Sequence, residues 1–408
     1  MWAALSMTRR PPLWLAACAV AAGSAAAYGL VLWVVFYSVG PVHVDVRMYY
    51  VAAEAGTRFG WSRIYDQDVL RWLSAGFPPN ARLIDSETTY ASLPLLAWLF
   101  APLTLFSEPV AYGIWTVLSV VALIFAWQIT APYAGLAKWT LLFVPLALWP
   151  AQLGFMLGQP TMLLIALVAA SWWLGRNEHQ LAAGLVLAVA TFLKPQSIFL
   201  LPLAIILAGR YRIAAAWAIG CAALCAASAL SLGPSGLSEW WQTTKGVQQL
   251  SVNTEYTLAH VVGNWPVTYF LWAVQAAAAL FVARRRRGEI EVVFAVGVVA
   301  SVATAAYFHE SDYVVLILPV WLVLRTSPPL WHRLFLLTGL LPMQLLAYWA
   351  DPHQVVWTAL TRGPQLLWDA VWLGVMVASC FGALGAVKAG PSTTSAKPVT
   401  EALSAADG

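Results

Sequence analysis

Charged residues are scarce in this sequence, and their scarcity limits what the protein can be. Only 10% of the 408 residues are Asp, Glu, Lys or Arg, while 61% are hydrophobic, and the net charge is +4. A balance so close to neutral gives no indication of nucleic-acid binding. The mean hydropathy of +0.73 excludes an ordinary soluble domain, so we expect membrane lipids to surround the protein.

Cysteine is scarce as well. The sequence has four cysteines, all in hydrophobic runs and none at metal-ligand spacing from a histidine, so a disulfide framework is not expected. Several catalytic motifs are missing: there is no Gly-rich phosphate loop, no Gly-x-Ser-x-Gly and no His-Glu-x-x-His. We therefore expect no cofactor and no metal site. A transferase acting outside the membrane would need a lipid-carried donor.

The hydrophobic runs predict an all-α polytopic membrane protein, because helices satisfy their own backbone hydrogen bonds in lipid. In the second half, positive residues fall at alternate connections, which the positive-inside rule assigns to the cytoplasm. These residues are Arg176, Arg210, Arg212, Arg284–Arg287, Arg325, Arg333 and Lys388. In the first half, parity requires that one of the runs at 91–106 and 110–131 does not fully cross. We predict about 12 spans with both termini inside.

The predicted transmembrane domain covers residues 1–388 and begins with an uncleaved anchor. Residues 41–90 form the longest polar segment and the predicted first extracytoplasmic loop. Its interleaved charged and aromatic residues favour short amphipathic helices on the outer membrane surface. A second outer loop is predicted at 234–262. Residues 389–408 are rich in Ala, Ser and Thr, which is typical of a disordered cytoplasmic tail.

Asp45 follows the first apolar run, at the predicted outer face, and two interpretations are open. Asp is a preferred helix N-cap, so a helix could begin at Asp45 and end before Gly56. Alternatively, Asp45 is a general base held at the membrane surface.

Other polar residues also interrupt the apolar runs at predicted outer ends. They are Gln159, Lys194, Asn253, Glu255, Tyr256, His260, His309, Glu310 and Asp312. A charge at membrane depth costs about 2.5–3.5 kcal/mol, so such residues usually have a partner or a function. Lys194 could instead snorkel to the interface. The spacing of His309, Glu310 and Asp312 is a weak metal pattern, because adjacent helical residues point in different directions.

The order of several short motifs resembles a known family. The motifs are Val44-Asp45-Val46-Arg47-Met48-Tyr49, Thr89-Tyr90, Gly158-Gln159-Pro160, Lys194-Pro195, Asn253 and Phe308-His309-Glu310. Over residues 13–385 the chain is similar to the bacterial GT-C glycosyltransferases that use polyprenyl-phosphate-mannose, the PimE-like alpha-mannosyltransferases. It departs from them at Tyr90-Ala91-Ser92, where the family often has Tyr-Pro-Pro, and at Glu310, where a second His is frequent.

The resemblance implies a GT-C-like helical bundle and a hexosyltransferase without metal or cofactor. The enzyme would move a sugar, with mannose expected, from a polyprenyl-phosphate donor to a lipid or glycan acceptor hydroxyl. Asp45 would be the catalytic base, while Lys194, His309 and Arg47 would bind the donor phosphate. Further substrate-binding candidates are Tyr49, Tyr90, Gln159, Asn253, Glu255 and Glu310. The implied location is the bacterial inner membrane, with the active site on the extracytoplasmic side.

A transporter or flippase is the main alternative. Such proteins place ionisable residues near the bilayer midplane and often contain repeated halves. This chain has no evident repeat, and its polar residues fall at one predicted face, which favours the enzyme. A non-catalytic scaffold in envelope assembly is a third interpretation.

Overall fold

The computed structural model describes residues 12–39, 44–77, 89–248, 250, 254–347 and 355–381. All regular secondary structure in these ranges is helical, which confirms the predicted all-α class. The predicted tail at 389–408 and the predicted site residue Asn253 lie outside them.

The α-helices follow one another closely along the chain. They are α1 (Leu13–Val39), α2 (Val44–Phe59), α3 (Gln67–Ser74), α4 (Pro94–Phe100), α5 (Glu108–Thr130), α6 (Gly135–Ala147), α7 (Trp149–Leu157), α8 (Thr161–Arg176), α9 (Gln180–Leu193), α10 (Leu201–Leu207), α11 (Tyr211–Gln248), α12 (Leu258–Val262), α13 (Trp265–Arg285), α14 (Ile290–Ala303), α15 (Ile317–Arg325), α16 (Leu330–Thr338) and α17 (Val355–Ser379). Short 3-10 helices lie at Trp61–Arg63, Ala101–Leu105, Pro195–Ser197, Glu310–Leu316 and Leu341–Ala347.

Five segments of the described chain are long and apolar enough to cross a membrane. They are Leu13–Val35, Glu108–Thr130, Tyr211–Gln248, Trp265–Arg285 and Leu330–Ala347. Helices α6 and α7 form a sixth candidate that is bent by 62°. The expected number of about 12 full spans is therefore not confirmed. Of the two runs in the first half, Glu108–Thr130 has the length to cross, whereas Pro94–Leu105 is short.

Several predicted runs are interrupted rather than continuous. The run at 139–157 divides at Leu148, whose backbone is extended (φ −79°, ψ 136°), and Pro150 follows in the first turn of α7. Proline is tolerated there because first-turn N–H groups have no helical partner. Helix α11 bends at Gly233 (φ 63°) and then continues to Gln248. Much of the predicted outer loop at 234–262 is consequently helical.

The core is built around α14 and α15, which are apolar on every side. All residues of α14 except Glu291 are buried, as are Ile317–Leu324 of α15. A helix that is hydrophobic all round must be covered all round, and α8, α10, α13, α15 and α17 all contact α14. The 14 residues of α14 span only about 21 Å. Short helices of this kind end within the protein, where polar groups can be grouped together.

Helix α2 lies in the protein interior, so the expectation of amphipathic helices on the membrane surface is not confirmed for it. Its residues Val51, Ala52, Ala53 and Ala55 are fully buried, and it packs against α4 and the Ala101–Leu105 turn. Small side chains allow this close approach. The helix continues through Gly56 to Phe59, so the expected end before Gly56 is wrong. The Trp61 ring fills the space that a Cβ at position 56 would need, which explains the glycine within the helix.

Helix α3 does have an amphipathic pattern. Leu70 and Leu73 are buried while Trp72 is exposed. Asp66 caps this helix, and its carboxylate accepts hydrogen bonds from the backbone N–H groups of Asp68 and Val69. Asp66 thus has a local structural role as a helix cap.

Arginine side chains gather at the end of α8. Arg176, its last residue, pairs with Glu291. The Trp172 ring lies under two guanidinium groups, those of Arg176 and Arg325, at 5.6 and 5.1 Å from the ring centroid. The other end of α8 is Thr161, and 16 residues of helix separate the two ends by about 24 Å.

Gly158 ends α7 and brings the following residue against α2. Its φ of 79° is in the left-handed region, and the N–H groups of Gly158 and Gln159 both donate to the Gly154 carbonyl, at 3.0 and 2.8 Å. Trp115 Nε1 donates to the Gly158 carbonyl at 2.8 Å. A Cβ at position 158 would overlap the side chain of Val46. The sequence therefore needs glycine here for both its backbone angle and its lack of a side chain.

We predict that Gly158→Ala destabilises the protein by about 2–5 kcal/mol, since left-handed strain adds to overlap with Val46. Gly209→Ala is the matched control: Gly209 has a φ of 77° but open space around its Cβ position, so only about 1–2 kcal/mol is expected. Thermal unfolding of the purified proteins measures both. Equal losses in the two variants would contradict the proposed role of Val46.

Candidate active site

Asp45 lies in the first turn of α2 and is half-buried. The helix begins one residue earlier, at Val44, so the N-cap interpretation is wrong for Asp45. Its carboxylate has a partner from a distant part of the chain, because Gln159 Nε2 donates to Asp45 Oδ2. The turn at Gly158 places Gln159 at this position.

Lys194 is the centre of the polar group that continues from Gln159. It directly follows α9 and is 6% exposed. Its ammonium donates to Gln159 Oε1 at 2.6 Å and to Thr161 Oγ1 at 3.2 Å, and it pairs with Asp312 Oδ1. The snorkelling interpretation is therefore wrong: the side chain is buried among acceptors and does not extend to the interface.

Asp312 is fully buried and connects Lys194 to the segment that carries His309. While Oδ1 pairs with Lys194, Asp312 Oδ2 accepts the backbone N–H of His309 at 3.2 Å. From the sequence, Asp312 is one of the polar residues at predicted outer ends but has no predicted role, and Thr161 is not singled out. One sequence signal was available for each: Asp312 follows His309 by three residues at a helix start, and Thr161 follows Gln159 by two.

His309 and Tyr307 form the next part of the site. His309 Nε2 lies 3.2 Å from the Tyr307 hydroxyl, with the two rings edge to face at 5.2 Å. Burial lowers the pKa of His309 below its usual value of 6.5, an effect that Asp312 partly opposes. The imidazole is thus neutral at pH 7 and acts as a hydrogen-bonding group rather than as a cation.

Tyr49 lies one turn after Asp45 on the same helix. Its ring packs edge-on against Tyr90 and Phe100, at centroid distances of 6.3 and 5.4 Å. Tyr90 is held behind it: its hydroxyl donates to the Leu93 carbonyl at 2.7 Å and accepts the Ala97 N–H at 3.2 Å. Tyr90 therefore supports Tyr49, and the substrate roles of both remain predictions.

The environment of Asp45 adjusts its acidity. Burial raises the pKa of Asp45 to about 6, against which the Lys194 charge and the Gln159 hydrogen bond act in the opposite direction. The nearby acids Asp312 and Glu310 add to the increase. A carboxylate that titrates near neutral pH is suited to accept a proton during a reaction.

Arg47 is not joined to this hydrogen-bonded group. It is buried, its Nε lies 3.8 Å from Glu108 Oε1, and its guanidinium lies 5.5 Å from the centroid of the Phe77 ring. Two residues along a helix correspond to about 200° of rotation, so Arg47 is on a different face from Asp45. Its contact with a donor phosphate remains a prediction.

A second buried cluster contains the predicted residues Glu255 and Glu310. Arg362 of α17, 1% exposed, donates to Glu255 Oε1 and to the Tyr256 hydroxyl, both at 3.1 Å. Burial raises the pKa of Glu310, an effect that the neighbouring Tyr256 partly opposes. Arg362 was missed from the sequence, although an arginine within a largely apolar segment is a recognised functional signal.

Metal-ligand geometry is not found in the described part of the chain, where no group of three His, Cys, Asp or Glu residues could hold an ion.

Comparison with known proteins identifies a family. The sequence model of Glycosyltransferase family 87 matches residues 93–319, more than half of the chain. The matched segment includes Gln159, Lys194 and Asp312, whereas Asp45 lies before it. No match was found among curated proteins or among solved structures.

We predict that Asp312→Leu destabilises the protein by about 3–5 kcal/mol, because it leaves the Lys194 charge buried without its counter-ion. Lys194→Met should cost a similar amount for the converse reason, and the double variant should recover much of the loss. Thermal unfolding of the three purified variants provides a double-mutant cycle. Additive losses would show that the two side chains are not coupled.

Proposed function

Because the chain belongs to Glycosyltransferase family 87 and is a multi-pass membrane glycosyltransferase, we propose that it is a hexosyltransferase using a polyprenyl-phosphate sugar. Mannose is the sugar we propose first, and the acceptor is a hydroxyl of a lipid or glycan. The family match gives no support to the transporter alternative. The geometry of the site supports the proposed donor and acceptor.

The observation that carries the proposal is the way Asp45 is held. Gln159 binds one carboxylate oxygen, Oδ2, and within the described ranges no group donates to the other oxygen. Glycosyl transfer to a hydroxyl needs a positioned base that is ionised at working pH. Asp45 meets these requirements, since its pKa is raised only to about 6.

The proposed reaction is a single displacement. The acceptor hydroxyl oxygen attacks the anomeric carbon, and its proton moves to Asp45. The bond between the anomeric carbon and the phosphate oxygen breaks, so polyprenyl phosphate leaves with the bonding electron pair. The configuration at the anomeric carbon is inverted because attack occurs opposite the leaving group.

Negative charge grows on the phosphate during this step and has to be stabilised. His309 is proposed to donate a hydrogen bond to the phosphate, since its imidazole is neutral and half-buried. Lys194 would supply a positive charge close by. Tyr49, Gln159, Glu255 and Glu310 are the described residues we propose for binding the sugar or acceptor, with Tyr90 packed behind Tyr49.

The two ends of α8 support our proposal for the side of the membrane on which the site lies. Thr161, at one end, contacts Lys194, whereas Arg176 and Arg325 meet at the other end. Positive residues favour the cytoplasmic side. We therefore place the site on the extracytoplasmic side of a bacterial inner membrane, where lipid-linked sugars are the suitable donors.

The first test is Asp45→Asn. Asn preserves the size of the side chain but cannot act as a base, so we expect transfer to fall by at least about a hundredfold while thermal stability is retained. The assay uses purified protein in detergent with labelled polyprenyl-phosphate-mannose and lipid extract. No compartments exist in this assay, so a transporter would give no product.

Asp68→Asn is the matched control, since Asp68 is a fully solvated acid on α3 (its side chain is 94% exposed). This variant should transfer sugar as the wild type does. Near-normal transfer by folded Asp45→Asn protein would eliminate Asp45 as the base. An absence of product with wild-type protein would count against the proposed donor. The wild-type protein is then assayed with other lipid-phosphate sugars: product from one of them shows that only the sugar was wrong, and no product from any of them counts against the reaction.

The second test is the pH dependence of kcat/KM. Asp45 must be ionised to accept a proton, so kcat/KM should be half its plateau value near pH 6, approach the plateau about one pH unit higher, and fall about tenfold per pH unit further below pH 6. The sign follows from the base role: protonation of Asp45 removes activity. If kcat/KM falls only near pH 4, the group that titrates is an ordinary exposed carboxylate. If kcat/KM increases as the pH is lowered, Asp45 is not the base.

A further inference from the structure

The polar group at the site extends beyond the base itself. Resting on the proposed function of Asp45, we propose that Gln159, Lys194 and Asp312 are positioning residues that form a relay. The Asp312–Lys194 ion pair fixes the orientation of the Gln159 amide, and this amide fixes which oxygen of Asp45 is presented to the acceptor.

The Gln159 amide is held in one orientation by Lys194. A lysine ammonium is only a hydrogen-bond donor, whereas a Gln amide has one accepting and one donating end. Because Lys194 lies 2.6 Å from Gln159 Oε1, the amide must direct its Nε2 away from Lys194. That nitrogen donates to Asp45 Oδ2. The charge on Lys194 therefore determines the orientation of the amide.

The orientation of the Gln159 amide determines which oxygen of Asp45 is free. With Nε2 facing it, Asp45 Oδ2 accepts a hydrogen bond as the ionised carboxylate, and Oδ1 is left for the acceptor hydroxyl. A flipped amide would direct Oε1 at Asp45, and two oxygen acceptors in contact require a proton between them. The relay thus favours the ionised form that a base needs.

Asp312 binds both Lys194 and the segment that carries His309. Its two oxygens serve different partners, since Oδ1 pairs with Lys194 and Oδ2 holds the backbone N–H of His309. One carboxylate consequently links the orientation of the base to the position of the proposed phosphate ligand. Gln159, Lys194 and Asp312 are all buried, and burial restricts their alternative arrangements and strengthens each electrostatic contact.

The charged groups around Asp45 predict the direction in which its protonation midpoint should move in each variant. Lys194, at the end of α9, favours the ionised form of Asp45, whereas Asp312 and Glu310, on the 3-10 helix, favour the protonated form. The tyrosines facing Asp45 are Tyr49 on its own helix and Tyr307. Removing Lys194 should therefore raise the protonation midpoint of Asp45, and removing the Asp312 charge should lower it. A Lys194 that only binds donor would weaken donor binding without moving this midpoint.

The experiment measures protonation of Asp45 directly in the full-length, donor-free protein. Infrared difference spectra against pH report the carboxylic acid band, and the Asp45 component is assigned by its loss in Asp45→Asn. We expect the midpoint to rise by about one pH unit or more in Lys194→Met and to fall by a similar amount in Asp312→Asn. The acid limb of kcat/KM should move in the same directions.

Two further variants complete the design. Lys138→Met is the matched control, because Lys138 lies near the start of α6 and contacts Trp127 and the Gln128 carbonyl; its midpoint should equal that of the wild type. Gln159→Leu keeps the ion pair intact and removes only the amide. It should raise the midpoint and serves as the decisive variant if Lys194→Met does not fold.

The outcomes separate the relay from the reaction. Midpoints that coincide with the wild type in Lys194→Met and Asp312→Asn, or an unmoved midpoint in Gln159→Leu, would overturn the relay even if the protein transfers sugar. Opposite shifts in Lys194→Met and Asp312→Asn follow from the charges alone, so the relay is supported only when the midpoint in Gln159→Leu rises as well. That set of shifts without any sugar transfer would support the relay and reject the proposed reaction. Normal donor affinity with an altered midpoint in Lys194→Met would assign Lys194 to positioning alone.

Discussion

The buried ion pair between Lys194 and Asp312 sets conditions that the surrounding structure has to meet. Removing two charges from water is unfavourable unless their remaining hydrogen-bonding groups are also satisfied. Here Gln159 and Thr161 accept hydrogen bonds from the Lys194 ammonium. The backbone N–H of His309 donates to the second carboxylate oxygen of Asp312. Four parts of the chain must therefore meet at one place: the ends of α7 and α9, the start of α8 and the beginning of the 3-10 helix Glu310–Leu316.

Short and broken helices make this meeting possible. A helix that crosses the whole bilayer carries its ends to the two surfaces, whereas α7, α8, α9 and α14 are too short to do so unaided. Their ends lie within the protein, where unpaired backbone groups and polar side chains can satisfy one another. Irregular backbone of this kind is tolerated at membrane depth when protein surrounds it, and α14 and α15 provide that apolar surrounding.

The arrangement also explains how a carboxylate can act as a base in largely apolar surroundings. Burial raises the pKa of Asp45, and the nearby Asp312 and Glu310 add to that increase. Lys194 and Gln159 oppose it, so the two influences leave the pKa of Asp45 near neutral pH. Arg47, which belongs to the same helix, pairs with Glu108 instead. The same helix thus carries a buried ion pair and the carboxylate that we propose as the base.

The sequence by itself determined the helical membrane class, through its long apolar runs, and drew attention to Asp45, Gln159, Lys194 and His309 as polar interruptions of those runs. It could not determine which of them touch, because Gln159 lies 114 positions from Asp45 and Lys194 lies 118 from Asp312. Contacts at such separations depend on how helices pack, and hydrophobic periodicity does not encode packing partners. Tertiary structure therefore decided the break between α6 and α7, the interior position of α2, and the roles of Asp312 and Arg362.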